Sequence, residues 1–166
     1  MANFTHDTFF KHDDYMTPFY AWKDIKDYIP KNKVIWEAFF GDSKSGKYLK
    51  DLGFNVIHEK IDFFKNNKGD IICSNPPFSK TKEVLERLII LNKPFILILP
   101  SSKINTQYFR NLFINLNDKI QIIIPKKRIN FTKTVNGKEV KSNACNFDTF
   151  YYCWKINLEN DIIWLT

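Results

Sequence analysis

The sequence predicts an α/β protein built on a mainly parallel sheet. Short apolar runs of strand length alternate along the chain with segments of helical periodicity. Near the C-terminus the alternation gives way to an antiparallel hairpin, signalled by Asn136-Gly137. No internal repeat, low-complexity segment or interdomain linker divides the 166 residues, so 1–166 reads as a single domain, long enough to bury a real core.

Each element has a local reason. Residues 1–17 read as irregular. Pro18 opens a helix with Trp22, Ile25 and Ile29 on one face, and Pro30 stops it. Val34-Ile35-Trp36 is the first strand. A helix follows from Lys44 to Leu52 and ends at Gly53, and Phe54 to Ile57 is the second strand. A short extended piece near Ile61 leads to Asp62-Phe63-Phe64. Asp70 to Ser74 forms the next strand. Thr81 to Leu91 is helical, because Val84, Leu85, Leu88 and Leu91 recur at helical spacing. Pro94 to Leu99 is a buried strand, Ile104 to Leu116 a helix and Ile120 to Ile124 a strand. Ile129 to Val140 is the hairpin, Phe147 to Trp154 a long aromatic strand, and Ile162 to Leu165 a short last one.

Composition narrows the function. Hydrophobic residues make up 44 %, which excludes a disordered tail, and most of the sixteen phenylalanines, seven tyrosines and four tryptophans belong in a core. A net charge of +7 points to a polyanionic partner, with nucleic acid first. Lysine outnumbers arginine, which favours attraction to a phosphate backbone over bidentate reading of bases. Cys73, Cys145 and Cys153 lack metal-ligand spacing and read as reduced thiols of an intracellular, cytoplasmic protein. His6, His12 and His58 are too scattered for a metal site. No signal peptide or long apolar span is evident, so no membrane partner is expected.

The most informative residues are Asn75-Pro76-Pro77-Phe78, directly after the strand ending at Ser74. The exocyclic nitrogen of adenine is a poor nucleophile, because its lone pair is spread into the ring. Asn75 offers a side-chain carbonyl and Pro76 a backbone carbonyl to hold its N–H bonds. Neither proline has an N–H to join a ladder, and their rings fix the direction of the segment. Phe78 offers a face for a flipped base. Asn-Pro-Pro is also an ordinary strand exit, so context decides. In an open α/β sheet, ligands sit outside the carboxyl ends of the strands. Glu37 to Ser43, His58-Glu59 and Asp62 to Phe64 end strands with polar or aromatic cargo and are expected to converge there with Asn75 to Phe78.

From about Asp14 to Trp154 the chain resembles the S-adenosylmethionine-dependent adenine-N6 DNA methyltransferases, in particular small phage or large-virus members. Asp14-Tyr15-Met16-Thr17-Pro18 resembles the family's Tyr-x-Thr-Pro segment at the methionine end of the cofactor. Glu37 to Ser43 resembles the Asp/Glu-Pro-Phe-x-Gly-x-Gly loop beneath it. Glu59 matches the acid that holds the ribose hydroxyls, and Asp62 and Phe63 match the pair beside the cofactor's adenine. Asn75 to Phe78 matches the catalytic loop. Arg128-Ile129-Asn130-Phe131 resembles the segment whose aromatic packs on the flipped base. The resemblance implies a Rossmann-like class I fold, with helices on both faces of a twisted sheet and S-adenosylmethionine as cofactor. It implies methyl transfer to adenine N6 in DNA. Asn75, Pro76, Pro77 and Phe78 would be catalytic, and Tyr15, Thr17, Pro18, Glu37, Phe39, Gly41, Glu59, Asp62, Phe63 and Asn75 would hold the cofactor. No metal is implied.

Each segment also has a plain structural account. Asp62 is a residue type that caps turns, and Phe63, Tyr15 and Phe131 are residue types that fill cores. The order and spacing of the signals, taken together, favour the functional account. Two positions depart from the family. Ala38 stands where proline is usual, and Ser43 where the second glycine is usual. Cofactor affinity is expected to fall if position 43 needs a positive φ.

No segment is long enough for a target-recognition domain. The expected substitute is Lys126 to Asn143, a basic hairpin or loop in which Lys126, Lys127, Arg128, Lys133, Lys138 and Lys141 track phosphates beside Phe131. So short an arm reads little sequence. Weak specificity, a single-stranded or RNA substrate, a second copy of the chain or a recognition subunit is therefore expected. The alternatives are an RNA adenine methyltransferase, a methylator of protein glutamine amides, or a degenerate nucleic-acid-binding subunit of a methyltransferase complex.

Overall fold

A computed structural model describes residues 15–135, 138–141 and 147–166. Seven strands form one mixed sheet in the order β2-β1-β3-β4-β8-β5-β9. They are β1 (Val34–Trp36), β2 (Asn55–Ile57), β3 (Ile71–Ser74), β4 (Phe95–Pro100), β5 (Ile120–Ile124), β8 (Thr149–Trp154) and β9 (Ile162–Trp164). Only β8 is reversed: it pairs antiparallel with β4 and β5, and all other neighbours are parallel. The remaining strands, β6 (Thr132–Val135) and β7 (Lys138–Lys141), make a separate antiparallel hairpin. The architecture is compatible with a Rossmann-like fold.

Alternation along the buried strands assigns helices to both faces. Ile35, Ile71, Cys73, Ile96 and Tyr151 point to the side covered by α1 (Phe19–Lys23) and α2 (Lys44–Asp51), where they meet Trp22 and Leu49. Trp36, Ile72, Phe95, Leu97 and Tyr152 point to the other side. They meet Val84, Leu85 and Leu88 of α3 (Thr81–Ile90) and Phe109 and Phe113 of α4 (Gln107–Phe113). The α2 helix ends as its sequence predicts, with Gly53 at φ +95 taking the left-handed position after it. Cys73 and Cys153 are free and buried, and burial pushes both thiols up. No helix of the described residues is long and apolar enough to cross a membrane.

The helix expected from Pro18 to Ile29 is not continuous. It breaks after Lys23 and resumes as a 3₁₀ turn over Lys26–Tyr28, because Ile25 leaves helical geometry at φ −110, ψ 8. Trp22, Ile25 and Ile29 are all buried nonetheless, so tertiary burial follows the pattern while the backbone does not. The helix expected from Ile104 to Leu116 is replaced by a 3₁₀ turn, Ser101–Asn105, and the shorter α4. Thr106 separates them: it is extended, at φ −85 and ψ 148, and its hydroxyl caps the new helix by accepting from Phe109 N at 3.4 Å. The stretch at Ile61 is not a strand and leads into a turn at 63–65. The hairpin starts at Thr132 rather than Ile129, and its Asn136-Gly137 turn lies outside the described residues, as do Asp14, His6, His12 and Cys145.

Candidate active site

The chain passes from β1 to β2 on one side and then returns to place β3 on the other side of β1. The carboxyl ends of β1 and β3 therefore flank the point where strand order reverses, the usual place for a ligand crevice. A cleft lies there. Tyr15, Met16 and Thr17 line it from the N-terminal segment, Glu37 and Phe39 to Asp42 from the loop after β1, Ser45 from α2, and Asn75 and Pro77 from the loop after β3.

The loop after β3 is closed by local hydrogen bonds. Pro77 O accepts from Lys80 N at 3.0 Å, and Phe78 O accepts from the Thr81 hydroxyl at 2.8 Å, which closes a 3₁₀ turn over Phe78–Lys80. Asn75 Nδ2 donates to Tyr15 O at 2.8 Å. Asn75 Oδ1 is buried and has no partner. Among the described residues three other buried side-chain polar atoms share that condition, on Trp36, His58 and Thr149, and none of those residues lines the cleft. A buried acceptor left open is costly unless something supplies a donor. Pro76 is buried and is not part of the cleft lining.

Four rings meet beside Asn75. Tyr15 and Phe78 lie nearly parallel with centroids 5.9 Å apart. Phe147 meets both edge-on, at 5.3 and 5.2 Å, and Phe131 packs against all three at 6.0–6.1 Å. Phe131 is fully buried. A reciprocal backbone pair, Met16 N to Thr132 O at 2.8 Å and Thr132 N to Met16 O at 3.1 Å, fastens the Tyr15 segment to the base of the hairpin. The sequence does not place Phe147 at the site; it reads as the first residue of the aromatic strand Phe147 to Trp154, whereas β8 begins at Thr149.

The loop after β1 turns sharply. Ser43 N donates to Phe40 O at 2.9 Å, and Lys44 N to Asp42 Oδ1 at 3.0 Å. Gly41 adopts φ +54, and a Cβ there would stand 3.1 Å from Met16 Sδ. Ser43 adopts φ +70, so the departure from glycine falls where a left-handed backbone is required. Glu37 is 1 % exposed. Its carboxylate accepts from Ser45 Oγ at 2.7 Å, from Phe39 N at 3.1 Å and from Ser74 Oγ. Burial raises its pKa to about 7 against the pull of those three donors. Nothing in the sequence pairs Ser45 or Ser74 with Glu37; only the fold does.

Glu59, Asp62 and Phe63 follow β2 on the same sheet edge and lie outside the cleft lining. Glu59 is exposed. Asp62 Oδ1 accepts from Phe64 N at 2.8 Å, which makes it the cap of its own turn. Phe63 is fully buried, 5.7 Å from Trp36 and 5.0 Å from Phe39, ring to ring. Arg87 of α3 pins this turn: Nε donates to Phe63 O at 2.9 Å and a terminal nitrogen to Asn66 O at 2.8 Å, with the guanidinium 5.7 Å from the Phe63 ring centre. Thr17 lines the cleft, whereas Pro18 precedes α1 as its N-cap.

Lys126, Lys127 and Arg128 leave the carboxyl end of β5, on the sheet edge that carries Asn75. Arg128 Nε is 2.8 Å from Asp148 Oδ1. Lys133 Nζ lies 4.7 Å from the Tyr15 ring centre, Lys138 is exposed, and the Lys141 backbone pairs opposite Thr132. The hairpin thus joins the basic arm to the aromatic cluster.

Comparison with protein-family models, with curated proteins and with solved structures gives no match to this chain.

Proposed function

We propose that this protein transfers a methyl group from S-adenosylmethionine to the N6 amino group of adenine in nucleic acid, with DNA preferred over RNA as the acceptor. The observation that carries the reading is Asn75: a buried side-chain carbonyl oxygen with no partner, at the carboxyl end of β3, in a cleft at the switch point and beside four aromatic rings.

The residues present fit the cofactor. Gly41 gives close backbone approach, and Tyr15, Thr17, Phe39 and Asp42 would hold the cofactor along the cleft. When bound, S-adenosylmethionine supplies a methyl group on a positively charged sulfur. Asn75 Oδ1 accepts an amino N–H bond and fixes the nitrogen lone pair toward the cleft. It also stabilises the positive charge that develops on that nitrogen. A nitrogen that has become cationic is acidic, so its proton passes to water without a strong base. Tyr15, Phe78 and Phe147, each partly exposed, offer the flipped base a stacking surface backed by the buried Phe131, and the basic arm attracts the phosphates on either side.

The test is incubation with methyl-labelled S-adenosylmethionine and, separately, duplex DNA, single-stranded DNA and RNA, followed by digestion and mass spectrometry of the labelled nucleoside. Label on N6 of deoxyadenosine is the expected result. Label on adenosine alone makes the acceptor RNA. No label with any polymer, in a protein that also fails to bind the cofactor, overturns the reading in favour of a nucleic-acid-binding subunit.

A further inference from the structure

Glu37 is the one buried carboxylate among the described residues, and its three hydrogen-bond donors come from three different places. Phe39 N belongs to its own loop, Ser45 to α2 and Ser74 to β3. Ser45 Oγ in turn accepts from Trp22 Nε1 of α1 at 2.8 Å. The direction of this relay is fixed by chemistry. An indole N–H only donates, so the Ser45 oxygen must accept there, and its single proton is left for Glu37 Oε2. Ser74 gives its proton to Oε1, and the next residue along the chain is Asn75.

We infer that Trp22, Ser45, Glu37 and Ser74 form a positioning relay that couples the loop after β1 to the acceptor loop after β3, and that this relay sets Asn75 correctly only while Glu37 is charged. The inference rests on the methyl-transfer reading of the cleft. A charged carboxylate accepts all three donors at once. A proton on Oε1 forces Ser74 to accept instead of donate, so its hydroxyl turns away at the residue that leads into Asn75. A proton on Oε2 turns Ser45 from donor to acceptor on its second lone pair, beside Trp22 on the first, so the Ser45 proton points away from Glu37. Either way one donor bond to the carboxylate reverses on one side of the cleft. Burial and hydrogen bonding oppose each other at Glu37 and leave its titration near neutrality. The other titratable side chains around it are Tyr15 and Asp42 in the cleft, with Lys44 3.8 Å from Asp42, and the Cys73 thiol of β3, which burial keeps protonated. The hydrogen bonds that pull against burial at Glu37 come from Phe39 N and the two serines.

The relay is tested on the full chain with wild type, Ser45→Ala and Ser45→Thr, by transfer rate against pH on whichever polymer wild type methylates. Ser45→Ala removes one donor that favours the charged carboxylate. It should lower kcat about tenfold and move the acid limb of the profile upward by about one pH unit. Ser45→Thr, which keeps the hydroxyl, should restore both. A merely structural serine would change stability and leave the limb in place, and that outcome overturns the relay. A second measurement needs no turnover: the Glu37 carboxyl carbon, identified by its loss in Glu37→Gln, and the Asn75 side-chain amide are followed by NMR across pH. The two should titrate together in wild type, and together at higher pH in Ser45→Ala. Asn75 resonances that ignore the Glu37 titration would refute the coupling. Wild type that methylates nothing would refute the proposed function, while this titration still decides the relay.

Discussion

Asn75 Nδ2 donates to the backbone carbonyl of Tyr15, sixty residues earlier in the chain, at 2.8 Å. That bond fixes which way the amide faces. The nitrogen is held by the N-terminal segment, so the oxygen is the atom left without a partner. Asn75→Ala removes the oxygen, and Asn75→Asp replaces the amide with a charge that repels Tyr15 O. On the proposed function both variants lose about 100-fold or more in transfer rate, as when a preorganised polar group is removed from a developing charge. Cofactor binding measured by calorimetry should survive in Asn75→Ala. Near-wild-type transfer in that variant would rule Asn75 out.

The left-handed pair in the loop after β1 gives an asymmetric prediction. Ser43 at φ +70 carries backbone strain that glycine would not. Ser43→Gly is expected to stabilise the fold by about 0.5–1 kcal/mol, which corresponds to a few degrees in Tm for a chain of this size. It should also tighten cofactor binding. Gly41→Ala does the reverse. Its φ is +54 and its new Cβ stands 3.1 Å from Met16 Sδ, so a loss of about 1–2 kcal/mol is expected. Thermal melts of the two variants with and without S-adenosylmethionine check both signs.

These two positions also mark how far the sequence can be read. Val34–Trp36 and Ile120–Ile124 are strands where short, mostly apolar runs predict them, because local pattern and burial agree there. The helix expected through Ile25 and Ile29 fails because both side chains can reach the core through a 3₁₀ turn, which hydrophobic spacing does not distinguish from a helix. Thr106 is a residue type that caps helices, and it marks where the 104–116 segment breaks in two. In the site, Asn75, Tyr15, Glu37 and Gly41 are legible from motif order. Ser45, Ser74 and Phe147 are not, since their roles arise only when β1, β3 and α2 meet in space. The φ of Ser43 lies between the two cases, being a stated condition that only the folded backbone could answer.

Arg87 should matter more to the turn that carries Asp62 and Phe63 than to the α3 helix on which it sits. Its two hydrogen bonds to Phe63 O and Asn66 O, together with its contact with the Phe63 ring, are its main links to the rest of the fold. Arg87→Ala is expected to cost about 2 kcal/mol in urea unfolding. Arg87→Lys should recover little, because one ammonium cannot reproduce two directed donors and a planar stack. Hydrogen exchange should quicken at Phe64 and Lys65 and stay unchanged across α3. Equal quickening in both places would contradict this assignment.

The basic arm predicts a salt signature. Replacing Lys126, Lys127 and Lys138 with alanine should weaken nucleic-acid binding and flatten the plot of log affinity against log salt. The slope should change by about 0.9 for each phosphate no longer neutralised on duplex and by about 0.7 on a single strand. Arg128 should contribute less, because it is already paired with Asp148 at 2.8 Å. Titrations at several salt concentrations, on both polymers, read the number of phosphates engaged and the strand preference together. A slope unchanged in the triple variant would place the phosphates elsewhere.

On the proposed function the buried acid sets stability against transfer. Glu37 has a folded pKa near 7 against an ordinary value of 4.5, so the folded protein binds this proton more tightly than the unfolded chain does. Its contribution is therefore fully present below about pH 4.5 and is lost as pH rises through 7, a swing of about 3 kcal/mol at most. Other groups titrate in the same range, so the measured quantity is the difference in unfolding free energy between wild type and Glu37→Gln, followed from about pH 4 to 8. It should fall in favour of the variant as pH rises. A difference that stays flat would mean Glu37 is not raised. Transfer should run the opposite way, because only the charged carboxylate accepts from Phe39, Ser45 and Ser74 together. On the proposed function, proton loss from Glu37 raises the rate while it costs stability, and opposed pH slopes of rate and stability are the measurable sign of a charge held against desolvation.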